Sequence, residues 1–193
     1  TRVERRLVAH EVRMQGRVDY DETRLVDSTA RIPGRLDRLY VDYTGVLVRQ
    51  HDHLFDIYSP KLVVAQDELL LAMKAFQEST PRTREQAANN LRLAEEKLRL
   101  WGLLDEQIDE IKTRGKATDR VTIYAPVGGI VIAKNANKGA YVQEGTPVYT
   151  IADLSLVWVS LDAYESDIAW LRYGQEVEFT TESYPGDVFK GRI

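Results

Sequence analysis

The chain has 193 residues, 44% of them hydrophobic and 29% charged, with a formal net charge of −4 and no cysteine. That length holds one large domain or two or three small ones, and that apolar share builds cores rather than a disordered chain. The acidic balance argues against a nucleic-acid binder, which needs a basic patch, and the lack of thiols excludes disulfides, thiolate metal sites and thiol nucleophiles.

No run reaches the roughly 18 apolar residues of a membrane span, and no signal peptide opens the chain. Residues Thr1 to about Ile32 are β-like, with Val3, Leu7, Val8, Val12 and Val18 spread among charges and Gly16 interrupting. From about Arg31 to Tyr58 a further β-rich stretch offers Leu36, Leu39 and Val41 as core positions. The period changes at Tyr58-Ser59-Pro60, where Ser59 is a good N-cap and proline fits a first helical turn. Leu62, Ala65, Leu69, Ala72, Met73 and Phe76 then recur at helical steps as far as Ser79. Thr83, with Gln86 three residues on, reads as a capping box for a second helix carrying Ala87, Leu91, Ala94, Leu98 and Trp101, with Gly102 ending it. Asp105 is expected to cap a third, short helix through Ile108 and Ile111 to Gly115. The two longer helices, of about 20 residues each, span roughly 30 Å. Their apolar stripes predict a compact antiparallel bundle of three helices.

The stretch Ala125–Ala152 is β-rich again and punctuated by Gly128, Gly129, Gly139 and Gly145, with Ile130 and Ile132 on one side of a strand. Beyond it, Leu156–Leu161 reads as a strand and Tyr164–Leu171 as a short helix ended by Gly174; Glu176–Phe179 is a strand and Tyr184–Asp187 a type II turn. Phe189–Ile193 starts a strand, and residues are expected to be missing at both ends.

The second β-rich stretch repeats the first. Gly139 follows Gly45 by 94 positions (139 − 45 = 94), and at that shift Val48 meets Val142, Leu54 meets Val148, Phe55 meets Tyr149 and Ile57 meets Ile151. Gly34 precedes Gly129 by 95 (129 − 34 = 95), so one insertion closes the register. A repeat at fixed spacing is a unit of structure, and two units are too few for a solenoid. They predict two halves that pair into one small domain around an unrelated middle, with Gly34, Gly45, Gly129, Gly139 and Gly145 as its structural turns.

Split halves around a helical insertion resemble the biotinyl/lipoyl-like domain of periplasmic adaptor subunits, the membrane fusion proteins of tripartite efflux pumps. Ile57–Leu62 leading into Ala65–Ala72, together with Arg31–Leu36, Tyr124–Gly129 and Val157–Ser160, resembles the heavy-metal, CusB-type branch. The resemblance covers nearly the whole chain. It implies a mainly β fold with an inserted helical bundle: a split lipoyl-like (barrel-sandwich hybrid) domain at 31–59 and 118–153, a three-helix insertion at 60–117, and a partial, truncated β-barrel at 154–193 with N-terminal strands at 1–30. The expected form is elongated and modular, with the termini together at the barrel end. The resemblance also implies a periplasmic, inner-membrane-associated protein without enzymatic activity. Its expected partners are a resistance-nodulation-division (RND) inner-membrane transporter, an outer-membrane channel, and copies of itself in a ring, hexameric in the family. An adaptor of a drug or ABC-type exporter is the nearby alternative.

Candidate chemistry is sparse. His51-Asp52-His53 is the most metal-like cluster, since imidazole suits Zn, Cu and Ni and carboxylate assists; at the 94-residue shift His51 falls on Gly145 and so on a turn, where solvated residues are the bland reading. Two ligands are short of the three or four a zinc site needs. Met14 stands where copper-type adaptors place Met ligands, and Met73, the other methionine, falls on a helix stripe as core. No resident cofactor is expected. Transient Cu(I), Ag(I) or Zn(II) contact through His51, His53 and Met14 defines a second function, a periplasmic metal chaperone that delivers ions to the pump. A swinging-arm carrier would place a modifiable Lys on the hairpin joining the halves, but the insertion fills that junction and Lys61 opens a helix. The acidic pairs Asp105/Glu106, Asp109/Glu110 and Glu165/Asp167 fit helix starts and solvated faces more simply than acid–base chemistry. The mixed charges of the second helix (Arg82, Arg84, Arg92, Lys97 and Arg99 among Glu85, Glu95 and Glu96) form either a solvated face or a docking surface for neighbouring protomers or the channel.

Overall fold

The structure, a computed structural model, describes residues 11–193, so Val3, Leu7 and Val8 lie outside the described residues. The described residues divide into two compact units: Tyr20–Leu156, and residues 11–19 together with Val157–Ile193. The elements run β1 (Gln15–Tyr20), β2 (Leu25–Thr29), β3 (Gly34–Leu39), β4 (Leu47–Val48) and β5 (His53–Tyr58), then α1 (Pro60–Gln77), α2 (Arg84–Leu100) and α3 (Asp105–Arg114). They continue with β6 (Arg120–Tyr124), β7 (Gly129–Lys134), β8 (Tyr141–Val142), β9 (Pro147–Ala152), β10 (Val157–Asp162), α4 (Glu165–Ile168), β11 (Glu176–Thr181) and β12 (Tyr184–Arg192).

The larger unit is built from two four-stranded antiparallel sheets, ordered β2-β9-β7-β4 and β6-β5-β3-β8. Each sheet draws strands from both halves of the repeat. Exchanging β2 for β6, β3 for β7, β4 for β8 and β5 for β9 turns one sheet order into the other. The register obeys the same exchange: Leu25 faces Ala152 as Arg120 faces Tyr58, and Gly34 faces Val142 as Gly129 faces Val48. Single hydrogen bonds repeat too, Gly45 N–H donating to Val131 O and Gly139 N–H to Leu36 O, both at 2.7 Å. The repeat is therefore a pseudo-two-fold axis, and neither half closes a sheet without strands from the other.

Between the sheets the paired positions all lie in the core: Val48 and Val142, Leu54 and Val148, Phe55 and Tyr149, Ile57 and Ile151, joined by Leu36 and Val131. Leu39 and Val41 are buried as expected. In β7 the fully buried residue is Val131, while Ile130 and Ile132, the pair picked out by sequence, are half-exposed on the other side. Tyr149 breaks the symmetry usefully. Its buried hydroxyl donates to Val41 O at 2.8 Å, and burial, then the Asp42 charge, push its pKa up to about 12. A raised tyrosine pKa contributes stability below the unfolded value near 10 and loses it as pH rises through the folded value. Stability should therefore fall from about pH 10 to pH 12, and Tyr149→Phe should flatten that decline while lowering stability at neutral pH by about 1 kcal/mol; urea titrations across this pH range read both effects.

The insertion leaves after β5 and returns into β6. Helices α1 and α2 form an antiparallel pair with α3 packed against both. Leu62, Ala65 and Leu69 of α1, Leu98 of α2, and Ile108 and Ile111 of α3 are buried among them. Gln66, fully buried on α1, ties the return: its side chain donates to Thr118 O (2.8 Å) and accepts from Thr118 N–H (3.0 Å). Gly102 takes φ 96° and, with Leu103 N–H donating to Leu98 O, closes α2 in a left-handed C-cap.

The helix starts differ from expectation. Ser59 holds the N-cap position, but its buried hydroxyl makes no cap bond, and Pro60 in the first turn sets the start. Thr83 is in the αR region, not the extended conformation a capping side chain needs, so the expected box with Gln86 is absent and its hydroxyl meets Thr80 instead. Asp105 lies inside α3; the cap residue is Leu104, whose N–H donates to the Gln107 side chain at 3.0 Å, while Gln107 also donates to Thr122 O of β6.

The smaller unit contains two two-stranded sheets, β1-β10 and β11-β12, and no closed barrel among the described residues. Strand β2, placed by sequence with the barrel region at 1–30, instead pairs with β9 inside the sandwich. The chain reverses at Glu182–Ser183, not at Tyr184–Asp187. Pro185 has no N–H to give the ladder and Gly186 takes φ 97°, so that segment leaves the ladder as a bulge between the Thr181↔Tyr184 and Phe179↔Phe189 pairs.

Candidate functional site

The five glycines divide into two kinds. Gly45, Gly139 and Gly145 hold φ of 88°, 86° and 83° with open space where a Cβ would sit. They are conformational glycines, and a substitution there strains only the backbone. Gly34 and Gly129 are contact glycines. A Cβ on Gly34 would lie 2.5 Å from Tyr58 O, and one on Gly129 2.5 Å from Ala152 O. These are equivalent points of the repeat, where two strands approach too closely for a side chain.

His51 stands at the equivalent of Gly145, and its φ of 69° makes it the non-glycine residue in the left-handed region among those described. That conformation costs an L-residue roughly 1–2 kcal/mol, partly offset by the greater chain entropy that glycine loses on folding. His51→Gly should therefore raise stability by about 0.5 kcal/mol, whereas Gly139→Ala, at the same kind of position, should lower it by about 1 kcal/mol; the two thermal melts should shift in opposite directions.

His51 is exposed and its N–H donates to Ala125 O at 2.9 Å. The Asp52 carboxylate accepts from Arg49 N–H at 2.7 Å, which stitches the turn. The His53 ring lies between Tyr40 and Tyr124, with centroids at 5.3 and 5.0 Å, and the Arg38 guanidinium sits 4.6 Å over the Tyr40 ring. Beneath them Asp56 accepts from Thr122 Oγ1 (2.7 Å) and Tyr40 OH (3.2 Å). Burial, then the Glu110 charge, raise the Tyr124 pKa. This stack escaped the sequence reading. Its signal was there in the repeat, because His53 and Tyr124 fall opposite Pro147 and Thr29 and so break the pseudo-symmetry.

Met14 precedes β1 and is half-buried. Among the described residues no three His, Asp or Glu side chains gather to hold a metal ion. Met73 lies half-buried on α1. Lys61 is exposed in the first turn of α1, not on a hairpin tip. Three acidic residues of α3 have basic neighbours: Asp105 meets Arg99, Asp109 meets Lys112 and Glu110 meets Arg114. The charges of α2 pair likewise, Arg92 with Glu96 and Arg99 with Glu95 four residues apart, and Lys97 with Glu68 of α1 at 2.7 Å. Such exposed pairs contribute roughly 0–1 kcal/mol each and make a solvated helical face. What the geometry builds is thus a sandwich that presents a helical arm, tied at its base by the Gln66 and Gln107 hydrogen bonds.

Comparison with known proteins agrees with that geometry. Residues 27–152 match the family described as the CusB barrel-sandwich hybrid domain, and residues 156–193 match the CusB-like β-barrel domain. The "Putative membrane fusion protein SilB" of Salmonella typhimurium is 28% identical over 97% of this chain and 42% of its own length. The "Cation efflux system protein CusB" of Escherichia coli K12 is 31% identical over 80% of this chain and 35% of its own. The chain thus spans less than half of these relatives. The crystal structure of ZneB from Cupriavidus metallidurans shares the fold, with a TM-score of 0.57 and 22% identity over 92% of this chain and 80% of that one.

Proposed function

Because this chain belongs to the CusB family of membrane fusion proteins, we propose that it is the periplasmic adaptor of a heavy-metal efflux system, coupling an RND inner-membrane transporter to an outer-membrane channel. The observation that carries this reading is the match of both domain types, in order, at residues 27–152 and 156–193, with cation efflux named for one of the relatives. A coupling role is supported by the helical arm, which is tied to the chain returning into the sandwich through Gln66 and Gln107. Of the described residues, no helix is long and apolar enough to cross a membrane. Association with the inner membrane, assembly into a ring of copies, and docking of the helices on the channel are part of the proposal.

The test is resistance. Cells lacking the full-length gene should become sensitive to one or more of Ag(I), Cu(I) and Zn(II), and the restored gene should rescue them. Unchanged tolerance to all three, with increased sensitivity to organic drugs, would place the chain with drug exporters instead.

A second reading, ion binding by the chain itself, is favoured by one observation: His51 keeps a costly backbone conformation that its twin position assigns to glycine. Calorimetry with Zn(II), Cu(I) and Ag(I) tests it. Heat that disappears in the His51→Ala/His53→Ala protein supports the chaperone role, and no heat removes it for this part of the protein.

A further inference from the structure

The strand pairing of the sandwich stops abruptly where the chain enters and leaves it. The β2–β9 ladder ends at Leu25↔Ala152, and β1 and β10 pair again only from Tyr20 downward and from Val157 onward. Four residues on each side, Asp21–Arg24 and Asp153–Leu156, lie outside any ladder. Both stretches lie inside the larger unit, Tyr20–Leu156.

One side chain spans it. Arg24 Nη1 donates to Asp153 Oδ2 at 2.8 Å and to Ser155 Oγ at 2.9 Å, and Arg24 Nε lies 3.6 Å from Asp21 Oδ2. Asp21 is buried, only 5% exposed, and accepts from Thr23 N–H (2.9 Å) and Thr23 Oγ1 (2.6 Å). A buried carboxylate requires a counter-charge, so the guanidinium is held on the outgoing chain by more than a surface pair. Its fork then reaches the returning chain, where Asp153 Oδ1 also accepts from Ser155 N–H at 2.9 Å and Asp153 N–H donates to Arg24 O at 3.3 Å. The Ser155 hydrogen bonds, then Arg24, hold the Asp153 carboxyl below the usual carboxylate range.

We infer that Arg24 is a clasp: it holds segments 21–24 and 153–156 together at the edge of the sandwich where the ladder is broken, and releasing it lets these two segments splay. The inference does not depend on the function assigned above. The clasp acts on a short segment with no ladder of its own, so its loss is felt locally and leaves the sandwich core intact. A lysine offers a point charge without the fork that spans Asp153 and Ser155, so it replaces arginine only in part.

Hydrogen exchange read by mass spectrometry in the intact protein tests this, with Arg24→Gln, Arg24→Lys and Asp153→Asn compared with the parent. The expected result is exchange roughly fivefold faster in segments covering 21–25 and 153–156 for Arg24→Gln and Asp153→Asn, a smaller increase for Arg24→Lys, and unchanged protection in β5, β7 and β9. Unchanged exchange at the break in Arg24→Gln would overturn the clasp. So would acceleration spread evenly through the core strands, which would mean that Arg24 supports global stability only.

Discussion

Gly129→Ala should destabilise the sandwich by about 3 kcal/mol and lower its melting temperature by roughly 10 °C. The added methyl would lie 2.5 Å from Ala152 O and 2.9 Å from Ile151 Cγ2, and its nearest neighbour is backbone rather than a flexible side-chain tip. Relief requires β7 and β9 to part, and these two strands are the centre of one sheet. Gly34→Ala should cost a similar amount, because its Cβ would lie 2.5 Å from Tyr58 O at the equivalent place in the other sheet. Gly128, next to Gly129, is the control: its nearest Cβ contacts are at 3.5 Å, ordinary van der Waals distance, so Gly128→Ala should stay within about 0.5 kcal/mol of the parent. Thermal melts of the three proteins are enough. A Gly129→Ala protein that melts like the parent would show that β7 and β9 do not approach each other as closely as this ladder places them.

Gln66→Leu should be the most damaging single change in the insertion, costing about 3 kcal/mol. Leucine keeps most of the volume but leaves the half-buried Thr118 N–H and C=O without the partners that Gln66 supplies at 3.0 and 2.8 Å. Gln66 is also the one fully buried polar residue of α1. It joins the outgoing helix to the chain returning into β6, so its loss loosens the base of the arm rather than its tip. Gln77→Leu, exposed at the far end of the same helix, should leave the denaturation midpoint unchanged. Chemical denaturation of both variants separates the cases, and equal midpoints would contradict the role given to Gln66.

Much of this architecture was legible because the repeat is written in side chains. Val48, Leu54, Phe55 and Ile57 have apolar counterparts 94 residues later, and every one of these eight residues is buried. The same shift places His51 on a turn, and its φ of 69° matches the 83° of Gly145. Helix periodicity gave three helices for the same reason: a stripe records which face is covered. Capping was less legible. Ser59 and Thr83 are good cap residues by type, but one is buried with its hydroxyl unpaired and the other is engaged with Thr80, and tertiary packing decided both. The assignment of β2 failed because a strand's type is local whereas its partner is not. Nothing in Leu25–Thr29 states that it pairs with residues more than a hundred positions away. Pro185-Gly186 misled for a related reason, since the dipeptide marks a departure from the ladder but does not say whether the chain reverses there. The Tyr40–His53–Tyr124 stack needed three separate segments to meet, and only the broken symmetry of the repeat pointed to it.

The central claim, that this chain couples an inner-membrane pump to an outer-membrane channel, is tested most directly by cross-linking in the native cell with a tagged full-length protein, followed by mass spectrometry of what is recovered. An RND transporter and an outer-membrane channel recovered together are the predicted result, and the transporter's identity would name the class of ion exported. Soluble carboxylase or dehydrogenase subunits in their place would contradict the account and make the sandwich a carrier domain.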